Sequence, residues 1–179
     1  MNKFDRIKLA ISGEKQGSIP FSFWTHIPEI DCSPKEVAQA TYDLFKQYDL
    51  DFIKTMNNGM YAVEDYNTEI DFSEVAKGGV AKVIKTPINA HEDWSNLPLL
   101  ELETASALQR ELDHLEHLLN LVDDEAPVIM TVFSPLTTAD KLAKGQLINH
   151  LNQDEHGYIH QALDRISEST ARWHIKPLS

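Results

Sequence analysis

Hydrophobic and polar positions along the chain alternate between short β-type runs and longer helical stripes. Residues 2–12 place Phe4, Ile7, Leu9, Ala10 and Ile11 on a loosely helical stripe that ends at Gly13. The run IPFSFWT (19–25), rich in β-formers and with Pro20 near its start, predicts a first strand. Ser33-Pro34-Lys35-Glu36 then has the form of a capping box with proline at the first helical position, so a helix is expected to about Tyr48. LDFIKTM (50–56) predicts a second strand directly after it. From Asn57 to about Leu100 the pattern loosens: NNG (57–59) is turn chemistry, and GGVAKVIKTPI (78–88) suggests an extended hairpin arm. Leu108, Leu112, Leu115, Leu119 and Val122 mark a helix. PVIMTVFS (127–134), nearly continuous in apolar residues, predicts a buried third strand. A short helix over 137–145, closed by Gly145, and a last amphipathic helix through Ile159, Ile166 and Trp173 complete the series.

This order is that of a parallel α/β sheet, as an open doubly wound sheet or a closed barrel. No glycine-rich phosphate loop follows the first strand, where THIPEIDC stands, so an open nucleotide-binding sheet is disfavoured. Composition narrows the function. The 179 residues carry 16 Lys and Arg against 28 Asp and Glu, a formal net charge of −12. Such a surface repels phosphate backbones and anionic membranes, so neither nucleic acid nor membrane is expected as a partner. The one cysteine, Cys32, excludes an internal disulfide and suits a reducing cytoplasm, and the N-terminus lacks the form of a secretory signal.

The stretches RIKLAISGEKQGSIPFSFWTHIPEID, DLDFIKTMNNGMYAVEDYN, EDWSNLPLL and PVIMTVFSPLTTADKLAKG, in this order, resemble the uroporphyrinogen decarboxylase-like family. That family holds uroporphyrinogen decarboxylases and cobalamin-related methyltransferases. The resemblance spans residue 5 to about 172 and implies a (β/α)8 TIM barrel. Such a barrel typically needs about 250 residues, and only three barrel-type strands are readable. The expectation is therefore one domain over 1–179: the N-terminal part of a (β/α)8 barrel, incomplete, with 172–179 as a tail that does not continue the pattern.

In a barrel, chemistry gathers where strands end and βα loops begin. Three such places are readable: Trp24-Thr25-His26, Lys54 to Asn58, and Phe133 to Thr137. His26 and Lys54 are the catalytic candidates. His26 brings an imidazole, the side-chain type suited to moving protons, and Lys54 is a charge inside an apolar strand that needs a reason to be there. Trp24, Asn57, Asn58, Ser134 and Thr137 are the candidate substrate-binding residues, together suited to a polar or anionic small molecule. Asn57 and Asn58 can equally serve a turn, and Ser134 and Thr137 a helix cap. No metal ligands are expected. His114 with His117, and His156 with His160, share helical faces at metal-like spacing but sit in charged surroundings, which reads as solvated surface. Trp94 is expected to anchor the arm.

The resemblance also sets the reaction. It implies two arginines after the first strand and an aspartate after the second for tetrapyrrole decarboxylation, and FWTHIPEID and KTMNN hold neither. Corrinoid-linked methyl transfer by the full-length protein is therefore expected over uroporphyrinogen decarboxylation. Zinc and a corrinoid would be the cofactors of that full-length protein, with none in this span. The present chain is expected to be an incomplete, inactive half. The alternative from another class is a non-enzymatic half-barrel that forms a homodimer or binds a partner through its open edges.

Overall fold

The computed structural model describes residues 1–14 and 17–175 as an α/β protein whose contacts divide it into two compact units. The first comprises residues 1–58 and 110–131, the second 59–109 and 132–179. The last residues of the expected tail, 176–179, lie outside the described residues.

In the first unit, α1 (Lys3–Ile11) begins under Asn2, whose side chain accepts from the amide of Asp5. Helix α2 (Pro34–Gln47) buries Val37, Ala38, Thr41 and Phe45, one stripe at helical spacing. Its proline is at the first position as expected, but the capping box is not formed: the Ser33 side chain makes no cap hydrogen bond. At Ser33 ψ is 101°, against 170° at Asn2, so the backbone turns the hydroxyl away from the free amides. Strand β1 (Ile53–Lys54) pairs in parallel with β4 (Val128–Ile129), with Ile53 opposite Val128 and Lys54 opposite Ile129. Parallel pairing demands a long crossover, and the chain between them includes α4 (Ser106–Val122). Phe45, Leu50, Ile53, Leu118 and Val122 close the core around this pair.

The expected first strand, 19–25, forms no ladder. Among the described residues a single main-chain bond ties it in, from the amide of Asp51 to the carbonyl of Phe21 at 3.0 Å. The amide of Phe21 donates instead to the Asp51 carboxylate at 2.9 Å. Pro20 has no N–H to give, and a side chain has taken the place of the next rung. Asp51, fully buried, also receives Arg6 Nη1 at 2.5 Å.

The second unit holds α3 (Tyr61–Glu64), the antiparallel pair β2 (Glu69–Asp71) and β3 (Lys82–Lys85), and α5 (Pro135–Leu142), α6 (Leu147–Leu151) and α7 (Tyr158–Ile175). The pair β2–β3 is the hairpin arm that residues 78–88 suggested. Trp94 is fully buried and donates to His150 Nδ1 at 3.0 Å, so it anchors the segment after the hairpin. Trp173 donates to the carbonyl of Leu108 at 3.0 Å, and Arg165 to those of Ser95 and Leu97. His156 precedes α7 rather than sharing a face with His160, and both are exposed.

Candidate active site at the carboxyl end of strand β1

Strand β1 ends in Lys54, and the turn Thr55–Asn58 follows it into the interior. The Lys54 ammonium stands 3.6 Å from the centroid of the Trp24 ring, a cation–π contact. The His26 ring meets Trp24 edge-on, with centroids 4.8 Å apart. Three of the residues expected from sequence are thus one cluster on the first unit. Trp24 and His26 remain solvent-exposed, while Lys54 is half-buried. Burial holds the Lys54 ammonium below its ordinary range, because a partly desolvated cation is costlier than the neutral amine. Among the described residues no carboxylate pairs with it.

Asn57 and Asn58 point inward. Asn57 accepts from the Thr55 hydroxyl in a short bond and donates to Glu111 Oε2 at 2.8 Å. Thr55 itself accepts from the amide of Thr131, just past β4, at 3.0 Å. Asn58 donates to Asp31 Oδ1 at 2.9 Å and to Cys32 Sγ at 3.3 Å. Both amides therefore shape the turn from beneath. Ser134 and Thr137 belong to the second unit, where Ser134 caps α5: its hydroxyl accepts from the amide of Thr137 at 3.1 Å and meets the Thr137 hydroxyl at 2.9 Å.

Sequence reasoning missed Asp31 and Glu111, and it left His114 at the surface. Asp31 is only 8% exposed, and burial raises its carboxyl above the ordinary range despite the bonds from Asn58 and Cys32 and the charges of Arg110 and His26. An acid does reach the turn after β1, from 27 residues away along the chain. The expectation that His114 is a solvated surface residue is overturned, since it is 1% exposed, as is Glu111. The buried face of α4 carries Ala107, Glu111, His114, Leu118 and Val122, whereas Leu119 is 38% exposed. Leu108, Leu112 and Val122 of the expected leucine stripe are buried too, so the buried face is broader than that stripe and takes in polar Glu111 and His114 beside it. The spacing 107, 111, 114, 118, 122 was a signal, had its polar members been admitted. No three His, Cys, Asp or Glu side chains converge as a metal site among the described residues. No described helix is long and apolar enough to cross a membrane.

The family model described as uroporphyrinogen decarboxylase (URO-D) matches residues 6–176. No curated protein sequence matches the chain significantly. Among solved structures, a methyltransferase from Methanosarcina mazei superposes with a TM-score of 0.72 at 18% identity, covering 97% of this chain and 54% of its own. The chain therefore spans about half the length of that neighbour. With the family model matching nearly its whole length, the chain belongs to the uroporphyrinogen decarboxylase (URO-D) family.

Proposed function

We propose that this chain forms the N-terminal part of a (β/α)8 barrel, and that the end of β1 is the anion-binding corner of a corrinoid-linked methyl-transfer site. The parallel β1–β4 pair, the family and a neighbour named as a methyltransferase support this reading. The observation that carries it is Lys54. In a protein with 28 acidic residues, this ammonium is held on an indole face with no carboxylate beside it. A carboxylate on the substrate would complete the pair, bound on the side of Nζ away from Trp24. His26, exposed at the edge of Trp24, takes up the proton that an acceptor thiol releases as its sulfur gains the methyl group. A corrinoid, when bound, would supply the methyl group as an electrophile to that sulfur. Asn57 and Asn58 bind no substrate directly in this scheme; they hold the turn. Ser134 and Thr137 serve as a cap. Among the described residues no three His, Cys, Asp or Glu side chains converge, so none of them is assigned to zinc, which needs three or four ligands and would belong to the full-length protein. Cys32, outside any disulfide, suits work in the cytoplasm.

The test uses the longest form of the protein that contains residues 1–179, supplied with methylcobalamin and 3-mercaptopropionate, a thiol carrying a carboxylate. Formation of the methyl thioether is expected, with a raised KM in Lys54→Met and a lowered kcat in His26→Ala. Equal kinetics in all three would remove both assignments. Decarboxylation of uroporphyrinogen by the same protein, without thioether formation, would favour the decarboxylase alternative.

A second reading has its own observation. On the first unit Ile7, Ile11, Ile19, Phe52, Pro127 and Ile129 line an open apolar groove of about 380 Å³. Ile11 and Ile19 are 82% and 87% exposed. Apolar surface of this kind marks an interaction site, which supports a homodimer as a further property of the chain.

A further inference from the structure

We propose that Glu111 is a buried anion and the positioning residue of the turn after β1, acting through Asn57 and Thr55. The inference takes from the reading above only the purpose of that turn; the hydrogen-bond argument stands without it.

Hydrogen-bond direction decides the charge. The Thr55 oxygen accepts from the amide of Thr131, so its single proton is free to go to Asn57 Oδ1. The Asn57 amide nitrogen then faces Glu111 Oε2 and donates to it. Oε2 must therefore be an acceptor. A proton placed on Oε1 instead would find no acceptor among the described residues, where that oxygen has no hydrogen-bond partner, and Arg110 Nε lies 3.6 Å from it. A guanidinium at that distance opposes protonation there. The one competing arrangement flips the Asn57 amide and protonates Oε2, and it leaves the Thr55 hydroxyl proton without an acceptor. Glu111 is thus ionised although it is 1% exposed.

A buried carboxylate with so few donors needs compensation nearby. His114, one turn along α4, brings Nδ1 to 3.6 Å from Oε2, while its buried Nε2 has no hydrogen-bond partner among the described residues. A bare lone pair at the unpartnered nitrogen costs less than a stranded N–H, and the carboxylate attracts a proton at Nδ1. The geometry therefore selects the Nδ1–H tautomer of His114, which is the less common one in water. The result is a polarised chain from Thr131 through Thr55 and Asn57 to Glu111 and His114. It orients the residues on either side of it: Lys54 on the strand, and Asn58 with its tie to Asp31.

The test is NMR on the full chain with no ligand present. In the wild type, His114 should read as the Nδ1–H tautomer, and the Asn57 side-chain amide should exchange slowly. Glu111→Gln keeps an acceptor for Asn57 but loses the charge; it should retain the slow Asn57 exchange and release His114 from its tautomer. Glu111→Ala should speed Asn57 exchange about tenfold or more and move the Thr55–Asn58 and Lys54 signals, which Glu111→Gln leaves in place. An Nε2–H tautomer in the wild type, or a freely exchanging Asn57 amide, overturns the proposal even if Glu111→Ala fails to fold. So do unmoved Thr55–Asn58 signals in a folded Glu111→Ala. Titration with 3-mercaptopropionate is read separately: no binding by the wild type defeats the anion-site reading, and the tautomer and exchange results still decide positioning.

Discussion

At the scale of single residues, burial penalises the charged form of Asp31 by more than its hydrogen bonds and the nearby Arg110 and His26 relieve. Asp154 has the opposite outcome. Burial pushes its carboxyl up as well, but the His91 bond at 2.9 Å and the amides of Ile159 and Tyr158 outweigh it and hold the group below the ordinary range. The two must therefore act on stability with opposite sign. Asp154 stabilises the fold above the ordinary carboxylate range, and that contribution is lost as pH falls through its lowered value. Asp31 costs nothing at low pH, and its cost grows as pH rises from the ordinary carboxylate value through its raised one. Denaturant midpoints measured from pH 3 to 7 should show a flatter acid loss in Asp154→Asn. Asp31→Asn, which keeps an oxygen to accept from Asn58, should raise stability toward pH 7. A matching pH dependence in both variants and the wild type would contradict these assignments.

At the scale of elements, two serines that look alike in sequence separate in structure. Each precedes a proline that opens a helix, yet only Ser134 bonds back to the helix amides. At Ser134 ψ is 154°, close to the value at Asn2 and far from the 101° at Ser33. Ser134→Ala should cost about 1 kcal/mol, seen as a fall in Tm of roughly 2–4 °C for a protein of this size, and Ser33→Ala should cost close to nothing. Equal losses would mean that Ser33 caps in solution. The serines also mark how far local pattern reaches. Helices α1, α2, α4, α5 and α7 were readable because each repeats its apolar stripe over two turns or more. The strands were harder: segments 50–56 and 127–134 pair over only two residues each. Segment 19–25 gave up its ladder to the Asp51 side chain, a choice that depends on a residue 30 positions away. The polar part of the buried face of α4 was hidden for the same reason. Glu111 earns its buried position from Asn57, 54 residues earlier, and not from anything within the helix. The adjacency of Trp24, His26 and Lys54 was legible because each was expected just past the end of a strand. Asp31 and Glu111 were missed because the amides that hold them, Asn58 and Asn57, lie 27 and 54 positions away.

At the scale of the whole molecule, two compact units share a net charge of −12, and on the first the open groove beside α1 contrasts with that polarity. None of the α1 residues is buried, although Ile7 and Ile11 line the groove. If a second copy covers it, light scattering should give a dimer mass, and Ile11→Glu with Ile19→Glu should return a folded monomer. A wild-type monomer at high concentration would contradict that. The site on the same unit offers a more direct test of the account as a whole. Trp94 and Trp173 are 0% and 1% exposed and Trp24 is 42% exposed, so ligand-dependent fluorescence reports on Trp24. Titration with 3-mercaptopropionate at neutral pH is predicted to change that fluorescence saturably, with the response absent in Trp24→Phe and lost in Lys54→Met. A saturable response of unchanged affinity in Lys54→Met, or none in the wild type, would contradict the claim that the Lys54 ammonium is held open for an anion.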